Sequence, residues 1–456
     1  MSELLWAPRA WIAGQWADGV MLGIGADGHW STIESGLAAP PQARRLPGPI
    51  LPGLVDAHSH AFQRAFAGMA ERRSSEHDDF WSWRDRMYGV ALRITPEQLR
   101  AVAAQLYTEL LAGGYTQVCE FHYLHHDEQG QPYADPLAMS QAICEAAAVA
   151  GIGLTLLPVL YERAGFAQPV LRPEQRRFAT SVDSVFALRD GVRALELPHV
   201  SAGVAVHSLR AARPESLQLL ARRLATDKAP IHIHIAEQTG EVDDCLTATG
   251  MRPIEWLTRS LPLDARWQLI HATHATPAEI DAVAASGAGI VICPSTEANL
   301  GDGLADLPRW LHSGTPMAIG SDSQVCRSAT DELRWLEYGQ RLSLRKRNVS
   351  ASPASGTASS AARLFDHALA GGAAAAGFDR WGLVEGARAD LLVLDMQAPG
   401  LLGVPADQAL DALVFATDAP AFSEVWVAGR KVLDAASPPA AVRHDFAAAM
   451  VRLWGR

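Results

Sequence analysis

Cysteine is scarce in this chain: Cys119, Cys144, Cys245, Cys293 and Cys326 are scattered over 456 residues, and their number is odd. No CxxC pair is present, which argues against both a thiol-built zinc site and a disulfide framework. Free thiols of this kind fit a reducing cytoplasm, which is the expected location. Long hydrophobic runs are missing too. No stretch reaches the roughly 18 uninterrupted apolar residues that a membrane span needs, so no membrane partner is expected. Met1 to Trp16 lacks the basic start and apolar core of a secretory signal. Positive charge is short: the net charge is -11 and no long basic run offsets it. A general nucleic-acid binder is thereby disfavoured. No GxGxxG or GxxxxGK[ST] loop follows an apolar strand, which weighs against nucleotide cofactors. An acidic ligand stays possible, because a pocket can be locally positive.

What is present is an evenly spread hydrophobic fraction of 48%, enough for a large domain and a smaller one. Residues 1–50 are short apolar pieces broken by Gly, Pro and Asp, and read as the first part of a small β domain. From residue 51 the texture changes to short buried strands alternating with helical patterns. The first strand runs through Leu51–His60. The others are Tyr115–Tyr123, Gly153–Leu160, Gly203–Ser208, Pro230–Ala236, Trp267–Thr273, Gly289–Pro294 and Met317–Ser321. Helical patterns such as Pro96–Ala112, Pro136–Ala150, Pro214–Thr226 and Pro277–Ala285 lie between them, each opening on a proline, whose missing N–H costs little there. Strands each followed by a helix predict a parallel (β/α)8 TIM-like barrel over residues 51–380. Helices are expected at Thr330–Leu344 and Thr357–Ala376, the latter with an Ala/Gly-rich run suited to close packing. β texture returns in Gly382–Asp395 and Val425–Val432, followed by a terminal helix over Arg443–Trp454. Residues 381–456 and 1–50 are expected to build one small β-sandwich from both chain ends.

Active sites of such barrels lie at the C-terminal ends of the strands. The first strand ends in His58-Ser59-His60. In extended chain alternate side chains share a face, so both imidazoles project together and Ser59 turns away. Alone, an HxH pair is a weak signal and is more often an incidental pair of surface or core histidines. The fifth strand end adds His234 and the eighth adds Asp322, completing three histidines and one carboxylate around a divalent ion, with a position left for water. A core histidine is the alternative for His234, and that reading fits its neighbour His232 better. A helix N-cap is the alternative for Asp322. Four ligands at three expected strand ends favour the metal.

His58-Ser59-His60, His234, His271 and Asp322 together resemble the metal and catalytic positions of the amidohydrolase superfamily, over nearly the whole chain. The fourth strand end, Val204–Ser208, has no lysine to bridge two metals, which points to the one-metal deaminase branch. Cys293–Gly301 resembles that branch's CPxSNxxLG signature, with Thr296 and Glu297 standing where Ser and Asn are usual. The resemblance implies one divalent ion per subunit, zinc by default, and a homodimer. It implies catalytic roles for Glu237, His271 and Asp322: Glu237 moves a proton from the metal-activated water to a substrate nitrogen, His271 steadies the intermediate, and Asp322 relays a proton.

The segments His60–Arg64, Asp79–Arg84, Glu120–Tyr123 and His207–Arg210 resemble members acting on a small acidic amidine. Two carboxylates and a one-carbon amidine head call for cationic forks at one end of the pocket. Arg84 and Arg210 are the candidate clamps, with Gln63, Tyr123 and His207 adding neutral hydrogen bonds. Surface salt bridges are the alternative for each arginine. His122, His125 and His126 are expected to be loop residues, and residues 64–90 are expected to close over the substrate. A deaminase of a heterocyclic base shares the metal set, without need of two arginines. A catalytically silent binding relative is a further alternative, although no ligand is lost.

Overall fold

The computed structural model describes residues 3–71, 80–419, 421–434 and 439–455. Eight parallel strands stand side by side in chain order: β1 (Leu54–Ser59), β2 (Tyr115–His122), β3 (Gly153–Leu160), β4 (Val204–Ser208), β5 (Ile231–Ile235), β6 (Trp267–His271), β7 (Gly289–Ile292) and β8 (Met317–Ile319). Their residues are buried on both faces, which is why they read as near-continuous apolar runs. The ring closes between β1 and β8 at their C-terminal ends. There the Asp322 amide donates to the His58 carbonyl (2.9 Å), and Ser321 gives its amide (2.9 Å) and hydroxyl (2.5 Å) to the buried Asp56 carboxylate. The closing contacts therefore lie among the proposed metal ligands.

Helices cover the outside of the barrel. Pro96–Ala112 begins at a complete capping box, with Thr95 Oγ1 accepting from Gln98 N and the Gln98 side chain taking the Thr95 amide. The Ala/Gly run of Ser360–Ala376 is a close-packing face. A β-carbon at Gly371 would run into the carbonyl of Met317, and one at Gly372 would press on Val55 at 2.8 Å. Glycine there lets this helix lie directly on β8 and β1, the strands that carry three of the proposed ligands.

The second sheet runs Arg430–Asp434, Phe422–Val427, Leu391–Leu394, Ile50–Leu51, Glu3–Ile12, Gln15–Ile24, Trp30–Glu34. Both ends of the chain thus build one small β-sandwich domain beside the barrel, around Leu5, Val20, Leu22, Trp30, Leu391 and Trp426. Two expectations need correction here. Of Gly382–Asp395 only Leu391–Leu394 is strand, because the glycine-rich start takes turns with positive φ at Gly382 and Gly386. Val425–Val432 is a hairpin, not one strand: Ala428 and Gly429 both adopt positive φ and reverse the chain. The segment 64–90 also differs from a plain loop, since Phe80–Ala91 is a helix; Asp79 lies outside the described residues. Among the described residues no helix is long and apolar enough to cross a membrane.

Candidate metal centre and active-site pocket

His58 and His60 leave the end of β1 on the same side, as the alternation predicts, and Ser59 turns the other way to donate to Glu120 Oε2 at 2.8 Å. Glu120 also takes the Ala61 amide at 2.6 Å, so the residues around the HxH pair are held by one carboxylate of β2. His234 comes from β5, and its Nε2 faces His58 Nε2 at 2.9 Å. Asp322 Oδ1 lies 3.3 Å from His60 Nε2 and 3.5 Å from His58 Nε2.

Two of the three ring nitrogens pointing away are occupied, whereas His58 Nδ1 is buried and has no partner among the described residues. His60 Nδ1 donates to the Phe121 carbonyl (2.9 Å) and His234 Nδ1 to the His207 carbonyl (2.8 Å). That fixes the tautomer which leaves Nε2 as a lone-pair donor towards the centre. Burial pushes His58, His60 and His234 below the usual imidazole range, into the neutral form that binds metal. Three histidines and one carboxylate, buried and inward-facing, fit a divalent cation, and the His58–His60–Asp322 and His58–His234–His271 groups could each hold one.

The backbone at these strand ends is unusual. Ala236, His271, Ala272 and Asp322 all have positive φ, between 46° and 69°. Left-handed backbone at four non-glycine residues is costly, and it clusters where the chain must turn side chains into one point. At β4 the pairing with β5 shifts between Val206 and Ser208, and this irregularity coincides with His207 lining the pocket.

Glu237 follows β5. Its amide and that of Ala236 are both taken by the Glu241 carboxylate, at 3.1 and 3.3 Å. Burial and the neighbouring Asp322 push the Glu237 carboxyl above its usual range, with His271 opposing. His271 Nε2 lies 3.8 Å from Glu237 Oε1 and 3.8 Å from Asp322 Oδ2, while its Nδ1 faces Glu297 Oε1 at 3.3 Å. Burial opposes its charged form, but these carboxylates outweigh that and raise it to about 10.

One pocket brings together His60, Gln63, Arg84, Tyr123, His207, Arg210, His234, Glu237, His271 and Asp322. His58 stands fully buried behind it. Every residue expected from the sequence is thus in the pocket or directly against it. Gln63 Nε2 donates to the Tyr123 hydroxyl at 3.2 Å, leaving Gln63 Oε1 buried and without a protein partner. Trp83, Met87, Tyr88, Tyr161, Phe178 and Leu300 also line the pocket and escaped the sequence reading. Met87 and Tyr88 follow Arg84 at helical spacing, and Tyr161 directly follows β3, so periodicity and the strand-end rule could have found them. Phe178 ends the short turn Pro173–Phe178; Pro173 at its start marks the turn in the sequence, but nothing local places it at the pocket. The expectation for His122 is corrected: it ends β2, is buried, and packs edge-on against buried His125 at 5.1 Å. His232 is a core residue bonded to the Ala375 carbonyl at 2.8 Å.

This barrel, with its inward His/Asp cluster, matches the amidohydrolase family model over residues 50–432. The chain belongs to the amidohydrolase family. Among curated relatives, the formimidoylglutamate deiminase of Pseudomonas aeruginosa is 48% identical over 435 residues, covering 94% of each chain. A 5-methylthioadenosine/S-adenosylhomocysteine deaminase of Natronomonas pharaonis is 28% identical over 77% of this chain and 74% of its own. The crystal structure of an amidohydrolase from Brucella melitensis superposes with a TM-score of 0.94 at 42% identity, covering 99% of this chain and 100% of that one. The chain is accordingly a hydrolase acting on C–N bonds, of the deiminating kind.

Proposed function

We propose that this chain hydrolyses N-formimino-L-glutamate to N-formyl-L-glutamate and ammonia, a step of histidine degradation, with one divalent ion, zinc by preference, held by His58, His60, His234 and Asp322. The observation that carries the reading is the meeting of two arginines, Arg84 and Arg210, with the Glu237–His271–Asp322 cluster in a single pocket. A small dianion with an amidine head has that polarity. The 48% identity to a formimidoylglutamate deiminase supports the same substrate.

A divalent ion in this set supplies a water of lowered pKa at neutral pH. The protein's own residues do the rest. Arg84 and Arg210 hold the carboxylates, with Tyr123 and His207 beside them, and Gln63 Oε1 accepts an N–H of the formimino group. This fixes the formimino carbon before the attacking oxygen. Glu237 takes the proton of that oxygen and delivers it to the terminal nitrogen. His271 Nε2–H donates to the oxygen as charge develops on it, and Asp322 holds the second proton. One C–O bond forms, the bond to the terminal nitrogen breaks, and ammonia leaves because that nitrogen, not the one carrying glutamate, receives the protons.

The test is ammonia release by zinc-loaded protein from N-formimino-L-glutamate, N-formimino-L-aspartate, guanine and cytosine. Turnover of the first, well above the rest, is expected. Preference for a base would replace this reading with a heterocycle deaminase, and inactivity on all four with metal bound would reject the substrate.

A further inference from the structure

Tyr161, buried at the end of β3, lines the pocket with its ring edge-on to His207 at 4.4 Å and tilted against Phe178 at 5.6 Å. Two donors converge on its oxygen: Arg84 Nη2 at 3.0 Å and Gln175 Nε2 at 2.9 Å. Neither direction can be reversed. Arginine is a donor only. The Gln175 amide is oriented by its other end, since Gln175 Oε1 accepts the Arg172 amide at 2.9 Å, which leaves Nε2 towards the phenol. The phenol oxygen therefore accepts twice, and its own hydrogen must be donated elsewhere. Among the described residues none accepts it. The nearby Tyr88 hydroxyl, also on the pocket wall, does not accept it.

We propose that Tyr161 is a specificity-determining residue that donates its O–H directly to a substrate carboxylate, next to Arg84. The inference rests on the acidic-amidine reading of the pocket. An oxygen already receiving hydrogen bonds from a guanidinium and a buried amide is a stronger donor, since successive hydrogen bonds polarise one another. Gln175 and Arg84 thus orient the phenol, and the phenol presents the hydrogen. A carboxylate arriving beside the guanidinium meets a cation and a neutral donor on adjacent positions, a pairing that selects an anion over an isosteric amide.

Glutarate, a dicarboxylate without the amidine, is the probe, and calorimetry reads its binding independently of turnover. Tyr161→Phe is expected to weaken glutarate roughly ten- to a hundredfold, the worth of a hydrogen bond to a charged group. The same loss is expected in an Arg84→Met background. If Tyr161 acted only by orienting Arg84, the loss would disappear there, and the proposal would fall; unchanged binding in the single variant, or no glutarate binding by the unaltered protein, would overturn it as well. Replacing Tyr161 by 3-fluorotyrosine covers the case that Tyr161→Phe does not fold. A stronger donor and weaker acceptor must tighten glutarate under the proposal, and loosen it if the oxygen serves only Arg84. In turnover, Tyr161→Phe should raise KM with kcat within about threefold, since the contact lies remote from the reacting carbon and contributes uniform binding. A protein that binds glutarate through Tyr161 yet releases no ammonia from N-formimino-L-glutamate would reject the proposed reaction and keep this contact.

Discussion

Glu297 Oε1 lies 3.3 Å from Nδ1 of His271 and 3.0 Å from the amide nitrogen of Cys293. This carboxylate occupies the place where the family signature usually carries an asparagine. It gives His271 a charged partner on the side away from the pocket, and helps to keep the imidazole protonated with Nε2–H directed inward. The departure from the signature is thus absorbed by a working contact. Glu297→Gln keeps an acceptor but removes the charge. Bound metal should be unaffected, kcat should fall about tenfold or more, and His271 should titrate at lower pH by NMR. An unchanged His271 titration would show that Glu297 is not what holds its proton.

Glu237 is held at its backbone by Glu241 and faces His271 across 3.8 Å. Glu237→Gln removes the carboxylate proposed to move the proton while keeping its size. The expected result is normal zinc content and a kcat lower by roughly a hundredfold to ten-thousandfold, measured by metal analysis and steady-state ammonia release. Near-normal turnover would assign the proton to another residue.

Arg84 places a guanidinium on the pocket wall, bonded to Tyr161 at 3.0 Å and lying 5.5 Å from the Tyr88 ring centroid. Arg84→Ala should raise KM for the acidic amidine about tenfold or more while leaving a neutral formamidine almost untouched. Equal losses on both substrates would mean that Arg84 supports the fold of the pocket rather than reading charge.

The fold was legible where burial on both faces writes itself as an apolar run. Strand β3 and the helix Pro96–Ala112, with its proline start and threonine cap, need almost no adjustment between expectation and structure. The barrel's strand-end rule then located His58, His60, His234, His271 and Asp322, residues separated by up to 264 positions yet gathered at one point. What could not be read was tertiary. Phe178 reaches the pocket through a turn whose position depends on the Arg177 guanidinium binding the carbonyls of Ala91, Ile94 and His126. His125 is buried although its segment is short and polar, because its amide and that of His126 bond the Arg177 carbonyl. Glycine-rich Gly382–Asp395 looked β-like by composition, whereas positive φ at two glycines makes most of it turn.

Glu332 carries a pH dependence of stability. Burial raises its carboxyl to about 8, against the opposing donors Ser295 Oγ and Ser295 N at 2.5 and 2.9 Å. A carboxyl raised in the folded state favours folding in its protonated form. Its contribution is full below the unfolded value of about 4.3, shrinks as pH rises through the folded value, and is constant above it. Glu332→Gln does not titrate. Its melting temperature relative to the unaltered protein should therefore climb between about pH 5 and pH 9. A difference that is flat, or that falls with pH, would mean the buried carboxylate is ionised throughout.

The central claim is that the terminal nitrogen leaves and the glutamate nitrogen stays. Turnover of N-formimino-L-glutamate in 18O-water, followed by mass spectrometry, examines it directly. The account predicts N-formyl-L-glutamate carrying one 18O in its formyl group, with one equivalent of ammonia. Glutamate and formamide in place of these would contradict it, since protonation would then have reached the wrong nitrogen.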